Sequence, residues 1–541
     1  MTSMTGGEAI VSGLVAHGVN TVFGLPGAQI YGLFDAFHQA QLKVIGARHE
    51  QACGYMAYGY ARSSGRPGVF SVVPGPGVLN AGAALLTAFG ANEPVLCLTG
   101  QVPTQFLGKG RGHLHEMPDQ LATLRTFVKW ADRVEYPDYA PTAVSRAFQE
   151  MMSGRRGPAA LEMPWDVFTQ RVNAKSVKPF DRFSAPQADS ERIEAAAALI
   201  AASKAPMIFV GSGAIEAREE ILELAEMIDA PVVAFRSGRG IVSNAHELGL
   251  TMAAAYRLWP TTDLMIGIGT RLELPTMSRW PYRPDGLKSV RIDIDPVEMR
   301  RTPPDVAVVG DAKAATADLV AAVVKAGHSK TSGRRAAIRE ASAAAHAEIQ
   351  KVQPQMAYLN ILREVLPQDG IVTDELSQVG FASWYGFPVY QPRTFVTSGY
   401  QGTLGSGFPT ALGAKVANPD KPVVAITGDG GFMFAVQELA TAVQFNIGVV
   451  TLVFNNNAYG NVRRDQVQRF DGRVVASDLV NPDFVKLAES FGVAASRVTA
   501  PDHFRPQLEK ALAHGGPYLI AIEVPKDSET TPWTFIHPAR P

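Results

Sequence analysis

The chain has 541 residues, of which 46% are hydrophobic and 19% are charged, and its formal net charge is −1. A charge so close to zero argues against nucleic acid or an anionic membrane surface as a partner, since binding to either draws on clustered positive charge. Two cysteines, Cys53 and Cys97, are too few for a disulfide scaffold or a four-cysteine zinc site, and no apolar run approaches the ~18 residues that span a bilayer, so we expect a cytoplasmic protein.

The length predicts about three domains at roughly 150 residues each, and the first, residues 1–172, alternates strand-like and helical segments. Apolar strand-like runs lie at residues 21–23, 44–47, 68–73, 94–99 and 159–163, with Gly and Pro at their ends. This alternation is typical of βαβ units, so we predict a doubly wound, mostly parallel sheet covered by helices. Residues 173–190 carry charge, Ser and Pro without periodicity and are interpreted as a linker.

A second domain of the same kind is predicted over residues 190–326. Its strand-like runs lie at residues 207–210, 231–234, 264–268 and 289–293. The Gly-containing segments 210–214 and 267–273 are similar to parts of a nucleotide-binding loop, but neither contains a whole G-x-G-x-x-G fingerprint with an acidic partner. The polar, Ala-rich residues 327–355 are helix-prone and are interpreted as a second connector.

The third predicted domain, residues 356–541, repeats the alternation. Its strand-like runs lie at residues 370–373, 394–397, 423–426, 449–454 and 518–524, and residues 434–444 have helical spacing. The predicted fold class is therefore three consecutive α/β domains, each with a doubly wound parallel sheet.

Two clusters with poor helix and strand propensity follow neighbouring strands of this third domain. GDGG, residues 428–431, follows the run 423–426, and NNN, residues 455–457, follows the run 449–454. A right-handed crossover makes these strands parallel, so both clusters should lie at the carboxyl edge, where ligands bind in open α/β sheets. Each cluster alone is equally consistent with a tight turn or a helix cap, but the pairing of the two favours a shared ligand.

The residue types at this edge predict a metal ion that holds a diphosphate. Gly428, Gly430 and Gly431 let main-chain N–H groups approach an anion closely. The stretch has no Walker-type Lys to neutralise phosphate, whereas Asp429 and Asn456 carry hard oxygen atoms of the kind that bind Mg²⁺ beside diphosphate oxygens. We therefore expect Mg²⁺ and a diphosphate-containing cofactor at this edge.

A GDG motif followed 27 residues later by NN resembles the signature of thiamine-diphosphate enzymes, a superfamily that includes acetolactate synthases, pyruvate oxidases and 2-oxo-acid decarboxylases. The resemblance covers essentially the whole chain, in the order pyrimidine-binding, central and diphosphate-binding domain. It implies that Asp429, the Asn456 side chain and the Ala458 carbonyl hold Mg²⁺. It also implies that the Gly430 and Gly431 amides meet the diphosphate.

The same resemblance implies a catalytic carboxylate at the end of a first-domain strand. Here the segment HEQACGYMAYGYAR puts Glu50 at the start of a helix rich in small residues. In the family this Glu bonds N1′ of the cofactor's aminopyrimidine ring and starts the proton transfer that activates the thiazolium carbon. An acidic residue here would also be favoured by the helix macrodipole alone.

Further residues are assigned to the cofactor by this resemblance. The segment SGYQGTLGSGFP contains Gly402, whose carbonyl would bond the 4′-amino group, and Leu404, which would hold the cofactor bent. The implied cofactor-binding set is completed by Ser377, Gln378, Gly428 and Tyr459. Because pyrimidine and diphosphate are bound by different subunits in the family, a homodimer or homotetramer is implied.

The implied reaction is cleavage of a 2-oxo acid or similar acyl donor, with release of the acyl unit or its ligation to a second carbonyl. The segments TGQVP, RRGPAALEMP and NNNAYGNVRRDQ are similar to those of acetolactate synthases. Three positions depart from that pattern: Trp165 replaces a Lys, Asn461 an apolar Met, and Asp465 the Trp that selects the acceptor. A carboligase and a simple decarboxylase both stay open.

The loop GKGRGHLHEMPDQ supplies two candidate catalytic histidines, His113 and His115. Such histidines are similar to those of 2-oxo-acid decarboxylases, which bind carboxylate and deliver a proton, a task suited to a side chain that titrates near neutrality. The end of the loop is also similar to oxalyl-CoA decarboxylase and 2-hydroxyacyl-CoA lyase, so an acyl-CoA lyase is an alternative. Both histidines are equally consistent with a solvated loop.

The resemblance leaves three alternatives for the central domain, which are bound FAD, an ADP or CoA moiety, or no ligand. Two other classes of protein match the sequence less well. A Rossmann-type oxidoreductase would need a whole nucleotide-binding fingerprint. A non-catalytic nucleotide-binding subunit would be expected to lack one of Glu50, Asp429 and Asn456, and all three are present.

Overall fold

The computed structural model describes residues 2–174, 177–276, 279–327 and 334–540. Within these ranges the chain forms three six-stranded parallel sheets and one antiparallel pair of strands, which confirms the predicted fold class. Residues 175–176 of the predicted linker and 328–333 of the predicted connector lie outside the described residues. Of the helices in the described ranges, none has both the length and the apolar character needed to cross a membrane.

The first sheet contains every strand predicted for this part of the chain and one that was not predicted. Its order is Lys43–Gly46, Thr21–Gly24, Gly68–Val72, Val95–Gln101, Ala159–Pro164 and Trp130–Arg133. Its helices are Gly6–Ala16, Tyr31–Gln39, Glu50–Ser64, Pro76–Ala91, Gln120–Arg125, Ala140–Met152 and Trp165–Thr169. The edge strand Trp130–Arg133 escapes prediction because it is mostly half-buried and lacks an apolar run.

The predicted linker over residues 173–190 is wrong at its start. Arg171–Ala174 is a strand that pairs antiparallel with Thr2–Thr5, with Thr5 opposite Arg171. This pairing joins segments far apart in sequence, so the local pattern carries no signal of it. Helix Ser190–Ala202 then opens the second unit, with the Asp189 carboxylate accepting from the Glu191 N–H at 2.9 Å.

The second sheet has the order Gly249–Leu250, Val232–Ala234, Pro206–Val210, Leu264–Ile268, Lys288–Asp293 and Val306–Val309. Helices Arg218–Met227, Met252–Leu258, Glu273–Thr276, Pro296–Arg301 and Ala312–Lys325 complete the layers around it. Helix Arg334–Ile349 follows within the predicted connector and agrees with its helix-prone composition. The central strands Pro206–Val210 and Leu264–Ile268 are buried throughout, as expected for parallel strands covered on both faces.

The third sheet has the order Phe395–Val396, Ile371–Asp374, Val423–Gly428, Val449–Asn455, Tyr518–Glu523 and Ala494–Val498. Its helices are Gln355–Val365, Gln378–Gly386, Gly407–Ala417, Asp429–Phe432, Glu438–Gln444, Gly460–Arg469, Phe484–Ser490, Phe504–His514 and Trp533–Ile536. The predicted helix over residues 434–444 is wrong in its first turn. Main-chain bonds from Phe434 to Gly431 and from Ala435 to Phe432 make tight turns there, and the helix begins only at Glu438.

The first and third sheets are joined through two crossing helices, Glu50–Ser64 and Gly407–Ala417. At the crossing, a Cβ on Gly59 would lie 2.0 Å from the Thr410 carbonyl oxygen, and a Cβ on Gly413 would lie 1.9 Å from that of Met56. Only glycine permits main chains to approach so closely. The two sheets therefore share one continuous apolar core, which fixes the orientation of the helix that begins at Glu50.

Candidate cofactor site

Strands Val423–Gly428 and Val449–Asn455 are hydrogen-bonded parallel neighbours in the third sheet. Gly428 lies opposite Phe454, so Asp429 and Asn456 both leave the sheet at its carboxyl edge. The two sequence clusters meet there, as the spacing of 27 residues predicts.

The candidate metal ligands converge on one main-chain group. The Ala458 N–H donates to Asp429 Oδ2 at 3.3 Å and to Asn456 Oδ1 at 3.1 Å. Asn481 Nδ2 also donates to Asp429 Oδ2, at 2.7 Å. Two side-chain oxygens beside the Ala458 main chain are hard ligands, so this set of atoms fits Mg²⁺.

Burial and hydrogen bonding have opposite effects on the pKa of Asp429. Removal from water raises the pKa of Asp429, and hydrogen bonds from the Gly430, Ala458 and Asn457 main chain and from Asn481 oppose that rise. A bound divalent cation would favour the ionised carboxylate strongly. Within the described ranges, no cluster of three or more His, Cys, Asp or Glu side chains is arranged to hold a metal. A metal at this edge therefore has to use amide and main-chain oxygens as well.

The glycines beside Asp429 are required by their close neighbours. A Cβ on Gly430 would lie 2.5 Å from Cε1 of Tyr459, and a Cβ on Gly431 would lie 2.6 Å from the carboxyl carbon of Glu375. Any side chain at either position would collide with these groups. Glycine at both positions therefore keeps main chain, rather than a side chain, next to Asp429.

A cavity of about 280 Å³ opens at this edge. The predicted residues that line it are Ser377, Gln378, Leu404, Gly428, Asp429, Gly430, Gly431, Asn456, Ala458 and Tyr459. Gly402 does not line the cavity, but a Cβ on it would contact Leu376, which does. The structure thus brings together all of the predicted metal ligands and nearly all of the predicted cofactor-binding residues.

Glu375 joins the two loops on either side of this cavity and was not singled out in the sequence. Its carboxylate accepts a hydrogen bond from the Gly405 N–H, while its carboxyl carbon packs beneath Gly431. The side chain is fully buried and one of its oxygens has no hydrogen-bond partner among the described residues. Burial raises the pKa of Glu375 to about 8, against the opposing effect of main-chain N–H groups.

Glu50 lies at the first position of its helix, where the His49 ring accepts a hydrogen bond from the Gln51 N–H. Its Oε2 accepts from Asn80 Nδ2 at 3.0 Å. The cavity described above is lined, among the described residues, only by residues between Leu376 and Glu529. Within one chain, Glu50 is therefore not part of it.

The two candidate histidines lie on the loop that precedes helix Gln120–Arg125 and do not line the cavity. His115 Nδ1 lies 2.7 Å from Oε1 of the buried Gln29, which fixes the ring. The His113 ring packs 5.0 Å from that of Phe106. Main-chain N–H groups, chiefly that of His113, lower the pKa of Glu116 and anchor the turn between the histidines.

Two further residues at the site, Asn481 and Glu529, were not singled out in the sequence. Asn481 orients Asp429, and Glu529 Oε2 accepts from Asn456 Nδ2 at 2.8 Å. Burial raises the pKa of Glu529 to about 7, and the charge of Asp429 adds to that rise. Both residues lie in loops far along the chain, so no spacing rule points to them.

Two of the three positions that depart from the acetolactate-synthase pattern, Asn461 and Asp465, belong to one polar network that reaches the cavity through Asn461. Asn461 lines the cavity and accepts from Trp533 Nε1 at 2.6 Å and from Arg464 at 2.7 Å. Arg464 also donates to Asp465 at 3.0 Å. Trp165 lies elsewhere, at the start of the short helix that follows the first sheet's strand Ala159–Pro164.

A second cavity, of about 200 Å³, lies where all three sheets' loops meet. Its lining includes the turn after strand Pro206–Val210 and the basic side chains Arg155, Arg156, Arg236, Arg271, Lys313 and Arg393. Nε of Arg271 is buried without a partner among the described residues. Burial raises the pKa of Asp293, also in the lining, to about 6. The lining is equally rich in acidic side chains, and three of its arginines are paired with them: Arg155 with Glu298, Arg236 with Glu273 and Arg393 with Glu216. The features of this cavity that suit a phosphate group are therefore the Gly-containing turn and the Arg271 Nε that has no partner among the described residues.

Comparison with known proteins covers all three parts of the chain. Residues 4–123 match the model of the thiamine pyrophosphate enzyme N-terminal TPP binding domain, residues 193–319 the central domain, and residues 376–522 the C-terminal TPP binding domain. The chain is 34% identical to the probable acetolactate synthase large subunit of Methanocaldococcus jannaschii, over 96% of this chain and 92% of that one. It is 32% identical to a probable 2-ketoarginine decarboxylase of Pseudomonas aeruginosa (96% and 94%). It is also 29% identical to the acetolactate synthase isozyme 1 large subunit of Escherichia coli (98% and 95%).

Proposed function

The chain belongs to the thiamine pyrophosphate enzymes and is acetolactate-synthase-like, and from that premise we propose that it decarboxylates a 2-oxo acid and ligates the acyl unit to a second carbonyl compound. The observation that carries the proposal is the meeting of Asp429, Asn456 and Ala458 beside Gly430 and Gly431 in the lining of one cavity. This arrangement matches the demands of a metal-bound diphosphate.

In the proposed site, Mg²⁺ would be held by Asp429, Asn456 and the Ala458 carbonyl. The diphosphate would be bound at Gly428, Gly430 and Gly431 with Ser377, Gln378 and Tyr459, while Gly402 and Leu404 would position the rings. Thiamine diphosphate, when bound, supplies the carbon nucleophile that attacks the carbonyl of the substrate. The protein's own part is to hold the cofactor bent, exclude water and move protons.

We assign proton transfer at the aminopyrimidine ring to Glu50, and proton delivery to the substrate to His113 and His115. None of the three lines the cavity of its own chain, which supports a site completed by the first domain of a second copy. Exposed apolar side chains beside the cavity and on the first domain, Met433, Phe434 and Leu79, are available for such a contact. We therefore propose a homodimer or a dimer-based homotetramer.

The test is a screen of purified protein, supplied with thiamine diphosphate and Mg²⁺, for carbon dioxide release and acetolactate formation from 2-oxo acids. Acetolactate from pyruvate would support the carboligase. Carbon dioxide release with no ligated product, from any of the acids, would contradict ligation and leave decarboxylation. No carbon dioxide from any 2-oxo acid would contradict the proposal and direct the screen to acyl-CoA substrates.

A second candidate is decarboxylation of a larger, polar 2-oxo acid without ligation. The observation in its favour is the polar network that links Asn461, Arg464 and Asp465, because the acetolactate-synthase pattern has an apolar Met at position 461 and a Trp at position 465. The similarity to a probable 2-ketoarginine decarboxylase agrees with it. Product analysis by mass spectrometry separates the two candidates, because this one predicts an aldehyde as the end product.

The Gly-containing turn and Arg271 Nε, which has no partner in the described part of the chain, support FAD or an ADP-containing molecule as the ligand of the second cavity. The turn after strand Pro206–Val210 and the unpaired Arg271 Nε would contact the phosphates. An absorbance spectrum of the purified protein identifies a flavin, and mass spectrometry of the heat-released supernatant identifies a colourless nucleotide. Release of neither, after incubation of the protein with FAD and with ADP, would contradict this assignment.

A further inference from the structure

Glu529 reaches the cofactor cavity from the segment that follows the last strand, Tyr518–Glu523. The main chain on its C-terminal side is pinned: the Thr530 N–H donates to the Gln353 carbonyl at 2.9 Å, and Gln355 Nε2 donates to the Thr530 carbonyl at 2.6 Å. Gln355 is fully buried. Glu529 is thus presented to the cavity by a fixed backbone.

The partner of Glu529 is the amide of Asn456, and each end of that amide has one protein contact. Asn456 Nδ2 donates to Glu529 Oε2 at 2.8 Å, and Asn456 Oδ1 accepts from the Ala458 N–H at 3.1 Å. The same N–H reaches Asp429 Oδ2. The amide oxygen therefore faces the candidate metal position, and the amide nitrogen faces away from it.

An Asn amide has nearly the same shape in its two orientations, so its partners decide which atom faces a metal. The reversed orientation would aim an N–H₂ group at the cation and lose a ligand. Glu529 opposes this reversal because its Oε2 accepts from the amide N–H₂ group in the observed orientation, whereas reversal would set the carboxylate oxygen against the amide oxygen. The absence of a side chain at Gly460 leaves room for the amide, since a Cβ there would lie 2.7 Å from Asn456 Nδ2.

We propose that Glu529 is a positioning residue that holds the Asn456 amide with its oxygen toward the metal. The C-terminal segment then sets the affinity of the site for Mg²⁺ without contributing a ligand. Hydrogen-bond partners of metal ligands elsewhere change metal affinity by about 10–100-fold when removed. This inference rests on the proposed function of the site.

The test measures the Mg²⁺ concentration that half-saturates thiamine diphosphate binding, followed by tryptophan fluorescence and by calorimetry. Glu529→Ala should raise that concentration about 10–100-fold, and Glu529→Gln, which keeps an accepting oxygen, should restore most of the affinity. Asp527→Ala is the matched control, because Asp527 lies in the same segment and pairs with Arg463 at the surface instead.

A double variant separates positioning from general loosening of the fold. Asn456→Asp presents an oxygen in either orientation, so adding Glu529→Ala to it should cost little further Mg²⁺ affinity. An equal loss in both backgrounds would overturn the proposal, as would a Glu529→Ala protein that binds Mg²⁺ like the parent. If Asp429→Ala also left Mg²⁺ affinity unchanged, the proposed metal site itself would be at fault.

Discussion

At the scale of single residues, the site depends on which oxygen atoms reach the carboxyl edge of the third sheet. Asp429 is buried, and its carboxylate is shared between the Ala458 N–H and Asn481. These contacts only partly offset the cost of burying a charge. In the proposed site a divalent cation would supply the remaining compensation, so we expect metal and cofactor to bind as one unit.

Asp429→Ala should abolish retention of thiamine diphosphate in the presence of Mg²⁺, because the charged ligand and its hydrogen bonds are both lost. We expect at least about 100-fold weaker binding by calorimetry, at the upper end of what loss of a metal-site partner costs. The exposed Asp420→Ala is the control and should bind normally. Unchanged retention in Asp429→Ala would contradict the assigned ligand.

Glu50→Gln should leave the cofactor bound and remove turnover, because an amide fills the space of the carboxylate but cannot accept a proton. General acid–base groups of this kind contribute about 10²–10⁴-fold to rate. Calorimetry first shows that the variant is saturated with cofactor. Steady-state carbon dioxide release from the same protein then shows whether turnover is lost while binding is kept. Full activity in this variant would rule out the assigned proton relay.

At the scale of elements, helix Glu50–Ser64 and helix Gly407–Ala417 tie the first sheet to the third. Glycines at the crossing let the two main chains touch, and this contact fixes the orientation of the helix that begins at Glu50. The loops at the cavity are joined in a comparable way by Glu375, which bonds the Gly405 N–H and packs under Gly431. Both contacts connect segments that are distant in sequence.

Gly59→Ala should lower the free energy of unfolding by about 1–3 kcal/mol, the usual cost of overpacking, because its Cβ would collide with the Thr410 carbonyl. Denaturant titration measures this. The control is Gly82→Ala, also within a helix, where the nearest atom would be 3.9 Å from the new Cβ. It should be neutral or stabilising by up to about 1 kcal/mol.

Glu375 should make stability depend on pH. Its pKa is raised from an ordinary value of 4.5 to about 8 in the folded protein, so the native state keeps a proton that the unfolded chain releases. The contribution of Glu375 to the free energy of unfolding should therefore be complete below about pH 4.5 and be lost as the pH rises toward about 8. Chemical unfolding of cofactor-free protein across this window checks it.

Glu375→Gln is the informative comparison, because an amide does not titrate and should flatten the decline. Glu364→Gln, at an exposed carboxylate, should leave the slope as it is in the parent. An identical slope in Glu375→Gln would assign the decline to other groups.

The sequence predicts correctly those strands and helices that are encoded by a pattern of neighbouring residues. Buried parallel strands such as Val423–Gly428 and Val449–Asn455 are continuous apolar runs, and their ends locate Asp429 and Asn456. Edge strands such as Trp130–Arg133 lack that signal because one face meets solvent. Asn481 and Glu529 come from loops 52 and 73 residues away from their partners, and tertiary contacts alone bring them in.

At the scale of the whole molecule, the separation of Glu50 from the cavity of its own chain makes a strong prediction about assembly. If each site takes Glu50 from one copy and Asp429 from another, neither variant is active alone. A mixed dimer of Glu50→Gln and Asp429→Ala chains would then combine both defects in one site and leave the other intact. Random reassembly of an equal mixture should recover about a quarter of the parent activity.

The recovery is measured after joint unfolding and refolding, or after co-expression with two different affinity tags. Mixing without subunit exchange is the control and should stay inactive. If each chain carried a whole site, the reassembled mixture would stay inactive as well, and the two-copy site would be excluded.

The strand pair Thr2–Thr5 with Arg171–Ala174 has a consequence for how this architecture can be rearranged. The pairing places the two ends of the segment that forms the first sheet side by side. A segment with adjacent ends can be excised, transplanted or permuted without stretching the rest. Joining Thr2–Thr5 to Arg171–Ala174 by a short linker, with new ends opened in a surface loop of the first sheet, should therefore keep the contacts between the first and third sheets.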